Sequence, residues 1–388
     1  MELYIAAIFW FAILLLIHAY LIYPFSLFIL KLFTDKPTKI TETKLPSISI
    51  LISAYNEEKV LSERIENIKN LDYDFNNLEL IIGSDSSSDN TNEILKQKAN
   101  EYNWLKISLF EIRRGKANVL NDLAQIAKGE IIVFTDANTV FEKTVLTNLV
   151  SRFSDQNVGG ICGRLILENP EGDFDKSNRE KLYWKYETQM KKLEGSLGIL
   201  VAANGGIYAI RKNLFSKFPT DQAITDDLYQ TLSVLDQGYK FLYANEAIAK
   251  EEVAKKLTSE FHRKVRFAGT NFQTLKQFPN LVFGKKFLVS YALWSHKILR
   301  WFVPIIAIFL FVSNLTLINY QKIYFITFIV QSAFYFSVLI GFILNKAKIS
   351  VGLFSVSYYY FVTNLALLVG FLKFLFGKHS YTWNSTPR

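Results

Sequence analysis

Two kinds of apolar pattern divide the chain. Residues 3–30 contain no charged side chain, and uncharged runs return at residues 301–320, 323–344 and 349–372. About 20 apolar residues suffice for a helix to cross the hydrocarbon core of a bilayer, so each run is long enough. Glu2 precedes the first run and Lys31 follows it. A signal peptide would have a basic start, a shorter apolar core and a small-residue cleavage site, so the first run reads as an uncleaved anchor. The last run carries Ser350, Ser355, Ser357 and three consecutive tyrosines in its first half. It stays open between a span and a re-entrant or interfacial segment.

Between the first two runs the pattern changes to short apolar stretches alternating with charged, helical ones. Residues 47–53, 78–83, 107–110 and 130–134 predict strands, and residues 57–70, 90–101 and 117–127 predict helices. Strand–helix alternation at this spacing predicts an α/β fold with a mostly parallel, Rossmann-like sheet. Residues 272–299 mix aromatics with Lys276, Lys285, Lys286 and Lys297, the composition of an amphipathic segment lying in the membrane interface. The expected organisation is therefore an anchor over 1–32, an α/β domain over 44–270, and an interfacial segment over 271–300. A transmembrane region over 301–376 and a tail over 377–388 complete it.

Half of the residues are hydrophobic and 33 are phenylalanine, which suits lipid-facing surface. The net charge of +9 raises the question of nucleic acid, but the basic residues are scattered and no nucleic-acid-binding motif occurs, so none is expected as a partner. Lys31, Lys36, Lys39 and Lys44 instead follow the anchor directly, as cytoplasmic flanks do. Lys297 and Arg300 before the second run, with Lys346 and Lys348 after the third, fall on that same side, and Lys322 marks the opposite turn. The expectation is a multi-pass protein of the cell (plasma or inner) membrane with its α/β domain in the cytoplasm. A single cysteine, Cys162, excludes an internal disulfide framework.

Asp136-Ala137-Asn138 follows the apolar stretch 131–134. Open α/β sheets bind ligands and metals beyond the carboxyl ends of their strands. No G-x-G-x-x-G or Walker A loop is present, so the phosphates of any nucleotide must be held by other means. Further candidate groups are Ser53-Ala54-Tyr55-Asn56-Glu57-Glu58, the segment 83–89 with Asp85, and Arg114-Gly115-Lys116. Downstream lie Asn204-Gly205-Gly206, Thr225-Asp226-Asp227 with Gly238-Tyr239, and Arg263-Lys264-Val265-Arg266-Phe267. Several have plain structural explanations. Asn56, Glu57 and Glu58 suit a helix start, and Thr225-Asp226-Asp227 suits another. The basic segment 263–267 also suits a helix drawn to anionic lipid.

Taken in order, these motifs resemble the family 2 glycosyltransferases, and the flanking apolar runs are similar to those of membrane-embedded polysaccharide synthases of the cellulose, hyaluronan and poly-N-acetylglucosamine type. The resemblance covers roughly residues 46–269. It implies a GT-A fold, a nucleotide-diphosphate sugar donor, first among them a UDP-sugar, a divalent metal and inversion at the anomeric carbon. On that pattern Tyr55, Asn56 and Glu57 meet the base or ribose, and Asp85 accepts the imide N–H of uracil. Lys116, Arg263 and Arg266 neutralise the diphosphate, where a compact ammonium and an arginine fork each suit phosphate oxygens. Asp136 and Asn138 hold Mg2+ or Mn2+ through oxygen, Asp227 with Asp226 supplies the general base, and Gly205, Gly206 and Phe267 line the acceptor site. The chain departs from the commonest family pattern at Ser84, Asn138, Arg263 and Phe267. The amide at 138 brings no formal charge to a metal, and the changes at 263 and 267 put processive synthesis in question. The acceptor is thus open between a growing polysaccharide or glycan and a polyprenyl or other lipid, the latter receiving a single sugar. A catalytically inactive nucleotide-sugar-binding subunit is a third reading. Export of a polymer through so few spans would call for an oligomer or a partner.

Overall fold

The computed structural model describes residues 1–34, 45–168, 174–252, 257–347, 349 and 351–377. Lys36, Lys39, Lys44, Lys348 and the tail from residue 378 lie outside the described residues. The strands are β1 (Ile48–Ala54), β2 (Leu78–Asp85), β3 (Leu105–Phe110), β4 (Ile131–Phe134), β5 (Val140–Phe141), β6 (Val158–Glu168), β7 (Tyr208–Arg211) and β8 (Lys240–Glu252). They form one eight-stranded sheet in the order β3-β2-β1-β4-β7-β6-β8-β5. β1 to β4 run parallel, β7 is antiparallel to both β4 and β6, β8 is parallel to β6, and β5 closes the edge antiparallel to β8.

The helices are α1 (Glu2–Leu32), α2 (Leu61–Lys69), α3 (Thr91–Glu101), α4 (Lys116–Ile126), α5 (Val145–Val150), α6 (Phe174–Ser196) and α7 (Asp226–Asp236). Beyond the sheet come α8 (Leu257–Leu275), α9 (Phe287–Trp301), α10 (Val303–Leu317), α11 (Lys322–Lys346) and α12 (Gly352–Leu375). Successive residues of a strand face opposite sides of the sheet, and β1 shows why its run is almost wholly apolar. Ile48, Ile50 and Ile52 share a core with Leu61, Ile65, Ile68 and Leu95 of α2 and α3, while Leu51 lies with Val119, Leu120 and Leu123 of α4 on the other face. Helix α2 begins at Leu61, not at residue 57 as the pattern predicts. The amides of Asn56, Glu57 and Glu58 are instead bonded to Ser87 Oγ (3.1 Å), Thr91 Oγ1 (2.9 Å) and Asp89 Oδ2 (3.1 Å), which holds the segment as a turn.

By length and composition, α1, α11 and α12 are each able to cross a membrane. Ser355 and Ser357, which left the last run ambiguous, are buried in a continuous α12. The second run differs from expectation. Only 15 of its residues form α10, a rise of about 22 Å against a core of about 30 Å. It would cross only together with α9, from which it bends by 63° at Phe302, just before Pro304. A proline lacks the amide hydrogen and fits the first turn of a new helix, which accounts for the break.

A buried polar cluster fixes the sheet domain onto these helices. Glu187 of α6 meets Lys297 at 2.6 Å, Arg300 at 3.0 Å and His296 at 3.1 Å. Glu194, two turns further along the same face of α6, accepts a hydrogen bond from Tyr23 of α1 at 2.6 Å and lies 2.6 Å from His296. Lys297 and Arg300, which the sequence suggests as a membrane flank, are thus engaged with the domain. The domain boundary drawn at residue 270 falls inside α8, because that helix packs along α12. A Cβ at Gly370 of α12 would lie 2.5 Å from both Ala268 Cβ and Val265 O, so the two helices approach as closely as glycine permits.

Candidate active site

The crevice lies where the strand order turns back, beyond the carboxyl ends of β1, β2 and β4. Asp136 stands two residues past β4. β7 pairs antiparallel to β4 with Tyr208 opposite Phe134, which carries the preceding Asn204-Gly205-Gly206 turn to the same end. Helix α7 opens there too, with Asp226 and Asp227 in its first turn, where the helix dipole favours negative charge. Thr225 occupies the cap position without capping. Its hydroxyl bonds Thr270 Oγ1 at 2.7 Å and Asn271 Oδ1 at 2.8 Å, joining the acidic pair to α8.

Lys116 joins these elements. It follows Gly115, whose φ of 83° only glycine adopts freely, and opens α4. Its ammonium lies 2.8 Å from Asp136 Oδ1 and 2.9 Å from Asp226 Oδ2. Burial favours loss of its proton, but the two carboxylates more than offset this and raise its pKa above the ordinary lysine value. Asp227 is adjacent. A Cβ at Gly205 would lie 3.4 Å from Asp227 Oδ2 and 4.0 Å from Asp136 Oδ2, so the bare glycine separates the two carboxylates. Asp227 Oδ1 accepts the Leu228 amide hydrogen at 2.7 Å. Burial and repulsion from Asp226 push the Asp227 carboxyl up to about 6, against the pull of Lys116 and Lys191. A carboxylate with that proton affinity is a better base at neutral pH than an exposed one.

Arg266 of α8 is brought down to about 10 by burial and by Arg263, with Asp226 opposing. Among the described residues, no acceptor reaches the buried Nε of Arg263. Two crowded guanidiniums, one with an unused buried donor, suit an incoming polyanion. The Phe267 ring is exposed (41%) and within 5.2 Å of the Arg266 guanidinium, which leaves a face for a sugar. Asp136, Lys116, Asp226, Asp227, Gly205 and Arg266 therefore form one cluster.

Asp85 joins it indirectly. Both of its oxygens accept backbone amide hydrogens, from Arg114 at 2.7 Å and Gly115 at 2.8 Å, so it shapes the turn that presents Lys116. Asn56 also has local work, since its Oδ1 accepts from the Ser88 amide at 2.8 Å, and Glu57 is buried. The Arg113 guanidinium lies over the Tyr55 ring, 3.6 Å from the ring centroid. A flat, cation-backed ring at the end of β1 is a surface on which a base can stack.

The donor set fits a hard cation. Among the described residues no donor reaches Asp136 Oδ2, and the amide nitrogen of Asn138 donates to Glu251 Oε1 at 2.9 Å, which commits that end of the amide and leaves Oδ1 as the oxygen ligand. Among the described residues no group of three His, Cys, Asp or Glu side chains could hold a metal unaided. The site thus suits an ion whose remaining ligands come from a phosphorylated substrate and water. Gly206, the second glycine of the turn, accepts from Thr135 Oγ1 through its carbonyl at 2.8 Å.

Two buried cations escaped the sequence reading. Arg64 of α2 donates to Thr135 Oγ1 at 3.1 Å and covers the Phe141 ring, and burial lowers its pKa to about 9 with Asp136 opposing. Lys191 of α6 lies behind the Asn204 turn. Each is a single basic residue on a charged helix, and no local pattern separates it from its solvated neighbours.

Residues 49–216 match the family model described as Glycosyl transferase family 2. These residues form a glycosyltransferase family 2 domain. A β-monoglucosyldiacylglycerol synthase of Trichormus variabilis is 28% identical over 247 residues, a match that covers 61% of this chain and 52% of that protein. The chain therefore spans about half the length of that relative. A poly-β-1,6-N-acetyl-D-glucosamine synthase of Staphylococcus aureus is 25% identical over 281 residues, covering 71% of this chain and 67% of that one. Among solved structures, a mannosyltransferase of Pyrobaculum calidifontis, determined with GDP-mannose and Mn2+, superposes with a TM-score of 0.70 at 20% identity, over 96% of this chain and 100% of that one. The chain thus shares that protein's fold, helices included, and the expected mostly parallel α/β sheet of GT-A type is present.

Proposed function

We propose that this glycosyltransferase is anchored in a cell membrane, works at the cytoplasmic face, and moves a sugar with inversion from a nucleotide-diphosphate donor to a glycan or lipid-linked acceptor. The observation that carries the reading is the Lys116 ammonium bridging Asp136 at 2.8 Å and Asp226 at 2.9 Å, with Asp227 beside them. Cation, metal-type carboxylate and base come from separate elements to one point. On donor entry Lys116, Arg263 and Arg266 neutralise the diphosphate, and Lys116 is drawn off the acids toward it. Tyr55, backed by Arg113, takes the base. Asp136 and Asn138 would hold Mg2+ or Mn2+, which offsets the negative charge on the departing nucleotide. Asp227 takes the proton of the acceptor hydroxyl as it attacks the anomeric carbon from the face opposite the leaving group.

The lipid-linked acceptor has support of its own. Helix α8, which carries Arg263, Arg266 and Phe267, lies against α12 at the Gly370 contact with no room for a glycan between them. Phe283, Phe287 and Trp294 are exposed close to Lys285 and Lys286, as residues that sit at headgroup level would be. An acceptor held in the bilayer would reach the crevice from that side. The related diacylglycerol-acting synthase is compatible with this route.

The test is nucleotide release by purified full-length protein from UDP-glucose, UDP-N-acetylglucosamine and GDP-mannose, with Mg2+, Mn2+ or chelator, read together with product mass. Metal-dependent release from one donor with a single sugar added per lipid acceptor is the expected result. A ladder of products would support polymer synthesis instead, and no release from any donor would sink the proposal.

A further inference from the structure

Lys191 is almost wholly buried (5% exposed), although lysine is among the residues most rarely buried without a charged partner. Its ammonium donates to Ala203 O at 3.2 Å and to Asn204 Oδ1, both uncharged acceptors. The turn that it grips is held on every side. Asn204 donates from its side chain to Gly163 O at 2.8 Å and from its amide to Cys162 Sγ at 3.2 Å, both on β6. The Ala203 amide donates to Thr231 Oγ1 at 3.2 Å, and that hydroxyl donates to the carbonyl of Asp227 at 2.6 Å. One hydrogen-bonded chain thus runs from α6 through the turn to the residue on α7 that carries the base.

An ammonium removed from water with only neutral acceptors is costly, and methionine would fill the same volume without that cost. We propose that Lys191 is a positioning residue for sugar transfer: its buried ammonium fixes the Asn204-Gly205-Gly206 turn against the Asp227 carboxylate and keeps a positive charge behind it. The inference rests on the reading of Asp227 as general base. Asp227 faces Asp226 on its own helix, Lys116 from α4, Lys191 from α6, Asp136 across Gly205, and Tyr208 of β7, while Arg266 of α8 acts on Asp226. Lys116 is the cation that the donor diphosphate draws away, so Lys191 is the one left beneath the base during the reaction. The charge keeps Asp227 ionised at neutral pH, and the grip on Asn204 keeps bare Gly205 where the acceptor hydroxyl must approach.

The experiment uses full-length wild type, Lys191→Met, Asn204→Asp and Asp227→Asn. It reads the pH profile of nucleotide release from UDP-glucose, UDP-N-acetylglucosamine and GDP-mannose, and amide hydrogen exchange over residues 203–207. Lys191→Met is expected to move the acidic limb of the profile up by about one pH unit, so that activity lost at mildly acidic pH returns at alkaline pH, and to speed exchange in the turn. Asn204→Asp sets a carboxylate against the ammonium, cancels its charge in place, and is expected to move the limb the same way. It also decides the matter if Lys191→Met does not fold. An acidic limb unmoved in both variants overturns the proposal even if the turn loosens, because Lys191 would then only fill space. If no donor turns over, exchange that stays at the wild-type rate overturns it. Turnover retained in Asp227→Asn would instead remove the base assignment itself, whereas a dead Asp227→Asn with an unmoved limb in the other variants removes only the role of Lys191.

Discussion

Asp227→Asn is expected to lower kcat for sugar transfer by about 10^3-fold while donor binding persists. The amide keeps the volume and the contact with the Leu228 amide through its oxygen but cannot take a proton. The same substitution is expected to stabilise the resting protein. The Asp227 carboxyl sits at about 6 in the folded chain, against 3.8 for an ordinary aspartate. Between those values the native state holds a proton that the unfolded chain has released, so stability falls as pH rises through the window. Above it the wild type carries the full cost of an ionised carboxylate beside Asp226, and the asparagine variant does not. The melting temperatures of the two should converge near pH 4 and separate by pH 7, the variant being the more stable by about 1–2 kcal/mol. Equal melting curves at neutral pH would mean that Asp227 is not held in an unfavourable ionised state.

Asp136→Ala should have the second largest effect, a loss of about 10^2-fold or more in kcat/KM together with loss of the metal-dependent part of donor affinity. Asp136 supplies the only formal negative charge in its motif, because Asn138 contributes a neutral oxygen and its nitrogen is committed to Glu251. The substitution also removes one of the two anchors of Lys116. The ammonium would then rest on Asp226 alone, so that only one carboxylate competes with the diphosphate for it. Titration of Mn2+ by electron paramagnetic resonance, with and without UDP, separates the two consequences. Loss of the UDP-dependent bound-Mn2+ signal is the expected outcome. An undiminished signal would place the metal elsewhere.

Much of this could be read from the chain, for reasons that differ by residue. The parallel strands were legible because β1, β2 and β4 are buried on both faces and so appear as continuous apolar runs. The acids at 136 and 226–227 were legible because each ends or begins such an element. The start of α2 was misplaced because acids after Asn56 look like a helix first turn, whereas their amides are taken by side chains some thirty residues away. No local pattern reports such a bond. The bend at Phe302 was hidden because the apolar run begins only one residue before it, at Trp301, and hydropathy does not record direction. Arg64 and Lys191 stayed invisible since their roles come from what surrounds them in space. The partial negative surroundings and the absence of water exist only once α2, α6 and β7 have packed.

Direct displacement by a hydroxyl that Asp227 deprotonates is the claim from which the other assignments follow. The proton NMR spectrum of the product formed from an α-configured nucleotide sugar tests it most directly. A product whose new glycosidic bond is β at the first time point is what the proposal predicts. A newly formed α linkage would contradict it, since retention demands a different arrangement of groups from the one built around Asp136, Asp226 and Asp227.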